Sequence, residues 1–223
     1  MFMNNSKKLL IWDFDGVIAD TEKLWLKNRM MTINQKFGLN WDYKITYKYL
    51  GGMSDKTKRK VLNNMGLITD DVFWEENYKL DQLDLKKGFD LTDGIENIFK
   101  YTVLKQCIAT GGLKEKTKQK IDVVGIRKYF PENHVFTADM VEKGKPEPDL
   151  FLFAAKKMNE KPEDCIVIED SIAGMEAAKK ANMDVIAFIG YENRKEIINE
   201  IKNLDISNIF TNMGDIYNYL KKI

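Results

Sequence analysis

The chain has 223 residues, 44% hydrophobic and 31% charged, the composition of a globular protein long enough for one large domain or two small ones. Its 35 Lys and Arg residues nearly balance 34 Asp and Glu, so no global field draws it to nucleic acid or to an anionic membrane. No apolar run reaches spanning length, and the short run after Lys7 and Lys8 is too brief for a signal peptide. The expectation is a cytoplasmic protein, with Cys107 and Cys165 as buried free thiols.

Leu9–Trp12 is the first predicted strand, and it ends in Asp13, Phe14, Asp15 and Gly16. Two carboxylates at the end of a buried strand repel each other and lose hydration. A hard divalent cation with oxygen ligands would offset that cost. Taken alone, the same letters also suit two turn aspartates. Asp20–Phe89 has helical periodicity and no clear strand, and it carries Trp25, Phe37, Trp41, Tyr43, Tyr47 and Trp74. It reads as a helical insertion whose aromatics form its own core. Junctions at Ile18–Thr21 and Lys86–Asp90 divide the chain into a core domain, 1–18 with 91–223, and an inserted domain, 19–90.

Beyond the insertion, strand-like runs at Cys107–Ala109, Val135–Thr137, Ile166–Ile168, Val185–Ile189 and Ile209–Phe210 are interleaved with helical segments. These segments are Gly94–Tyr101, Glu115–Val124, Pro148–Met158 and Ser171–Ala181. Such alternation predicts an α/β fold, a Rossmann-like parallel sheet covered on both faces.

Three of these runs end in residues that carry chemistry. Cys107-Ile108-Ala109 leads into Thr110, Gly111 and Gly112, a hydroxyl and bare backbone N–H groups suited to an anion, or equally to a capped turn. After Val135–Thr137 comes Lys143-Gly-Lys145-Pro-Glu-Pro-Asp149, where Lys145 could neutralise a phosphate and an aspartate together. Ile166-Val167-Ile168 ends in Glu169, Asp170 and Ser171 at a helix start. In a parallel sheet these strand ends share one edge, so the residues can converge although they are distant in sequence.

Asp13-Phe-Asp15-Gly-Val, Thr110, Lys145 in Gly-Lys-Pro-Glu-Pro-Asp, and Glu169-Asp170-Ser-Ile-Ala-Gly resemble the four ordered motifs of the haloacid dehalogenase superfamily. The insertion after the first motif resembles its cap-bearing subgroup of phosphatases and β-phosphoglucomutase-like enzymes. The resemblance implies a phosphatase acting on a small phosphorylated metabolite, a sugar or sugar-acid phosphate, with Mg²⁺ as cofactor; a monomer is the expectation for the chain. It makes Asp13 the nucleophile that forms an aspartyl-phosphate and Asp15 the general acid and base. Thr110 and the Gly111 N–H, with Gly112 beside them, would hold the phosphoryl oxygens, and Lys145 would bridge these to Asp13. The metal would lie among Asp13, the Asp15 carbonyl, Asp170 and Glu169. In the cap, Gly51-Gly52-Met-Ser-Asp55 resembles the substrate-reading loop, and Lys56, Lys58, Arg59 and Lys60 follow it. That cluster, Arg59 included, could meet a second anionic group, or form a solvated helix face.

One departure from the resemblance bears on the reaction. The mutases carry a cap histidine four residues after the threonine that follows the first motif, and here Thr21 is followed at that spacing by Trp25. The dehalogenases lack an equivalent of Asp15. Hydrolysis is therefore the expected reaction. A mutase and a non-catalytic phosphoacceptor module are the alternatives, the latter disfavoured by Asp15 and by the insertion.

Overall fold

In the computed structural model, residues 7–51, 53, 55–191 and 197–223 are described. Among them, β1 (Leu9–Trp12), β2 (Lys105–Thr110), β3 (Val135–Thr137), β4 (Cys165–Glu169), β5 (Asp184–Phe188) and β6 (Ile209–Phe210) form one sheet. The order is β3-β2-β1-β4-β5-β6, and every pairing is parallel. A central strand of such a sheet is covered on both faces and so reads as an unbroken apolar run. β1 fits, with all four residues fully buried.

The helices α1 (Thr21–Phe37), α2 (Tyr43–Leu50), α3 (Asp55–Asn64) and α4 (Asp71–Lys87) lie between β1 and β2. Asp20, Asp42 and Asp70 cap α1, α2 and α4 by accepting from backbone N–H groups of the first turn. Then come α5 (Ile95–Tyr101), α6 (Lys114–Val123), α7 (Asp149–Lys157), α8 (Ile172–Lys180), α9 (Ile198–Asn203) and α10 (Met213–Leu220). The chain separates into two compact units. Residues up to Ala19 join Asp90–Ile223 in the α/β unit, and Asp20–Phe89 form the helical unit.

Each unit has its own core. In the α/β unit, Leu9, Ile11, Cys107, Ala109, Val167, Phe151, Met175 and Ile201 belong to one buried cluster. Cys107 and Cys165 are free and buried. In the helical unit Leu26, Ile33, Leu50, Leu62 and Phe73 form the cluster, with Phe37, Trp41, Tyr43, Tyr47 and Trp74 packed against it. Five of the six aromatics marked in the sequence are therefore core, and Trp25 lies outside that cluster. Lys58 departs from a solvated face: it is buried one turn before buried Leu62 on α3, and burial pushes its ammonium below the usual lysine range. Among the described residues, no helix is long and apolar enough to cross a membrane.

Candidate active site

Sheet register sets the strand ends level. Trp12 pairs with Ile108 on one side and Ile168 on the other. The next residues, Asp13, Ala109 and Glu169, therefore emerge at one edge, with Thr110 a residue further on. This edge lies where the strand order reverses about β1, the place at which open α/β sheets form their crevice.

A single ammonium ties three of these strands together. Lys145 Nζ donates to Asp13 Oδ1 at 2.6 Å, to Glu169 Oε1 at 2.6 Å and to the Ala109 carbonyl at 3.2 Å. It lies 4.9 Å from the centre of the Phe151 ring. The loop that delivers it contains a cis Lys145–Pro146 peptide. Burial alone would lower the Lys145 pKa, but Asp13 and Glu169 outweigh it and hold the ammonium above the usual lysine range. Asp13 is 6% exposed. Burial pushes its carboxyl up to about 7, with Lys145 pulling down and Glu169 and Asp15 pushing further up.

Glu169 is held from both sides. Its Oε1 meets Lys145, and its Oε2 accepts from the Asp170 N–H at 2.8 Å, the Ser171 N–H at 2.8 Å and the Ser171 hydroxyl at 2.9 Å. A Cβ at Gly174 would run into this carboxylate, which explains the glycine in Ser171-Ile-Ala-Gly174. The sequence expectation grouped Glu169 with the metal ligands. In the structure both its oxygens also meet donors of the chain, so that it anchors Lys145 and the start of α8.

Asp170 is buried, and its carboxylate lies against Gly16. A Cβ at Gly16 would fill the space that the carboxylate occupies, and Gly16 also has φ +88°, a conformation that favours glycine. The β4 end is thus brought directly onto the turn that follows β1. Thr110 is buried and accepts from the Gly112 N–H at 3.2 Å. A Cβ at Gly111 would meet nothing within 4 Å, while one at Gly112 would lie 2.9 Å from Thr117 Oγ1. Gly111 therefore faces open space, and Gly112 packs onto α6.

Asp15 has a partner that the sequence reading missed. Lys120 Nζ contacts both of its carboxylate oxygens at 2.6 Å. Lys120 is one of four lysines on α6, with Lys114, Lys116 and Lys118, and the other three are exposed. The available signal was helical spacing: Lys120 lies one turn after Thr117 and beside apolar Ile121, and the structure buries all three. The remaining sequence candidates are in the helical unit. Arg59 pairs with Asp71 at 2.7 Å. Gly52 lies outside the described residues.

The donor set suits a hard cation held loosely. Among the described residues, no three His, Cys, Asp or Glu side chains converge as a cage. Asp13 and Asp170 supply two carboxylates beside the backbone of the Gly16 turn. One or two carboxylates, completed by water and substrate oxygens, are the usual way of holding Mg²⁺. The glycine cradle under Asp170 gives that carboxylate the close approach such a site needs.

A sequence profile of the haloacid dehalogenase-like hydrolases matches residues 10–188. A bifunctional riboflavin kinase/FMN phosphatase of Arabidopsis thaliana is 30% identical over 92% of this chain, which spans only 57% of that longer protein. The 6-phosphogluconate phosphatase of Escherichia coli K12 is 24% identical over 85% of this chain and 86% of its own length. Among solved structures, a hydrolase of the same superfamily from Deinococcus radiodurans R1, with bound phosphate and sodium, superposes with a TM-score of 0.82. It is 20% identical, covering 96% of this chain and 94% of that one.

Proposed function

Because the chain belongs to the haloacid dehalogenase-like hydrolases, we propose that it is a Mg²⁺-dependent phosphatase acting through a phosphorylated Asp13. The substrate is a small phosphorylated metabolite of the sugar or sugar-acid phosphate class. The observation that carries the reading is the Asp13–Lys145–Glu169 link at the sheet edge, with Asp15 two residues away on a separate lysine.

Asp13, Glu169 and Asp170 outnumber the one ammonium of Lys145 by two charges. A divalent cation balances that excess. Asp13, Asp170 and the Asp15 carbonyl would hold it, and when bound it supplies screening of the phosphoryl charge from the attacking carboxylate. Asp13 attacks phosphorus in line with the departing alcohol. Lys145 keeps the nucleophile oriented and offers a fixed positive charge to the phosphoryl oxygens. Thr110 and the Gly111 N–H hold those oxygens at the open turn. Asp15 gives a proton to the leaving alcohol and then takes one from the water that hydrolyses the aspartyl-phosphate. Glu169 acts through Lys145. The helical unit selects the substrate, as an inserted cap.

The test is a phosphate-release assay on phosphorylated sugars and sugar acids, with and without a chelator, beside a coupled assay for conversion of β-glucose 1-phosphate to glucose 6-phosphate. The reading expects phosphate release that stops on chelation and no isomerisation. Efficient isomerisation with little free phosphate would make the protein a mutase. Full activity after chelation would remove the metal.

A further inference from the structure

We infer that Lys120 is a positioning residue for Asp15: it fixes the acid/base carboxylate at the reaction centre by gripping both of its oxygens. The inference rests on the reading of Asp15 given above.

The geometry differs from that of an ordinary surface ion pair. The Lys120 side chain is 5% exposed, that of Asp15 35%. An exposed pair contributes little and leaves both side chains free to move. A buried ammonium, by contrast, is strongly disfavoured unless it is well paired, so Lys120 is confined to where its partners are. One partner is the Asp15 carboxylate, met at 2.6 Å on both oxygens. Another is the face of Phe14, whose ring centre is 4.6 Å from Nζ. Phe14 is fully buried between Asp13 and Asp15 in sequence, so the ammonium is fixed to the same turn whose carboxylate it holds.

Asp13 and Asp15 are therefore held by different lysines from different elements. Lys145 reaches Asp13 from the loop before α7, and Lys120 reaches Asp15 from α6. Two carboxylates of like charge are each assigned a direction, one toward phosphorus and the other toward the leaving oxygen. Lys120 is also near the phosphate turn, since a Cβ built at Gly112 would be 3.8 Å from its Nζ. A direct grip on the phosphate is the competing role, and the experiment separates the two.

The variants are Lys120→Met and Lys120→Gln, which remove the charge at similar length, and Lys120→Arg, which keeps it and adds a two-pronged donor. Each is combined with Asp15→Asn and checked by circular dichroism and thermal melting. Turnover is measured on p-nitrophenyl phosphate and on the best metabolite, and binding as the competitive inhibition constant of inorganic phosphate. Misplacing a catalytic group by about 1 Å costs on the order of 10²-fold. The folded uncharged variant should lose turnover on that scale, keep the phosphate inhibition constant within about twofold, and lose little more when Asp15→Asn is added. Lys120→Arg should recover much of the loss. Three results would overturn the inference: a tenfold weaker phosphate inhibition constant, losses that multiply with Asp15→Asn, or no recovery in a folded Lys120→Arg. If Asp15→Asn itself leaves turnover intact, the role of Asp15 falls, and the role of Lys120 with it. If Asp15→Asn is severe and Lys120→Met is silent, only the inference falls.

Discussion

Both units bury a strong cation, but the charges around it differ. In the helical unit, Arg29 forks onto Asp81 at 2.7 and 2.8 Å and reaches Asp55 at 3.2 Å. Asn28 donates to Asp81 at 3.0 Å, and Thr32 donates to Asn77 at 2.9 Å. Burial opposes the Arg29 charge, and Asp81 and Asp55 outweigh it. This network joins the middle turns of α1 and α4, and Lys58 on α3 lies 3.9 Å from Asp55, so two cations face the two carboxylates, although the buried Arg29 Nε has no hydrogen-bond partner. In the α/β unit, Lys145 faces more carboxylate than it can neutralise, at strand ends where backbone turns rather than helix sides surround it. A charge-balanced network has a structural purpose. An unbalanced one at a sheet edge is held ready for charge that arrives with a ligand. Burial is common to both, so burial alone does not mark a functional site; the proposed site is distinguished by its charge balance.

The sharpest way to break this contrast is at Asp13. Asp13→Asn keeps the shape and removes the nucleophilic charge, so turnover should fall on the order of 10⁴-fold or more. Stability should stay within about 1 kcal/mol of the parent, because a repulsion among carboxylates is relieved as the Lys145 contact weakens. Steady-state kinetics and urea unfolding on one preparation check both halves. A variant that unfolds would place Asp13 in the structural class.

Arg29→Met is the converse experiment. It leaves Asp81 buried without its cation and should cost about 3–5 kcal/mol, read by thermal or urea unfolding. A loss below about 1 kcal/mol would mean that the network is not the balanced, buried unit described.

A smaller effect sharpens the comparison. Mg²⁺ at about 100 times its dissociation constant should stabilise the parent by about 2.7 kcal/mol, seen as a rise in Tm. Asp170→Asn should abolish that rise, and Arg29→Met should retain it. The rise should also depend on pH. Burial holds the Asp13 carboxyl up to about 7, and a cation binds the ionised form. Mg²⁺ affinity is therefore full above that value and falls as pH drops through it, by up to about tenfold per unit. Titrations at two pH values, one on either side, check the sign. Affinity that improves on acidification would contradict the ligand set.

How legible these features were in the sequence depended on whether their meaning was local. Leu9–Trp12 and Ile166–Ile168 were readable as strands because burial on both faces leaves an unbroken apolar run that ends in acids, and the structure extends the second by one residue at each end. Pro148–Met158 and Ser171–Ala181 were readable to within a residue at each end, because prolines and a serine cap mark the starts. Lys120, Arg29 and Lys58 were not readable. A lysine or arginine on a helix has the same letter whether it faces water or a carboxylate more than fifty residues away, as for Arg29 and Asp81. Only the packing of α1 on α4, or of α6 beneath the Asp13–Gly16 turn, decides which. Glu169 was half readable: its place at a strand end was plain. Its engagement with Lys145 and the α8 start depended on the close approach that Gly174 permits.

The central claim is a covalent phosphoryl group on Asp13, and trapping it is the most direct test. The protein is mixed with its best substrate and Mg²⁺, quenched in acid within one turnover, and reduced with borohydride, which converts an aspartyl-phosphate to homoserine. Peptide mass spectrometry then locates the change. The account predicts homoserine at position 13 only with substrate and Mg²⁺ present, and none in Asp13→Asn. Sustained phosphate release with no homoserine at position 13, or with the label on another carboxylate, would contradict it.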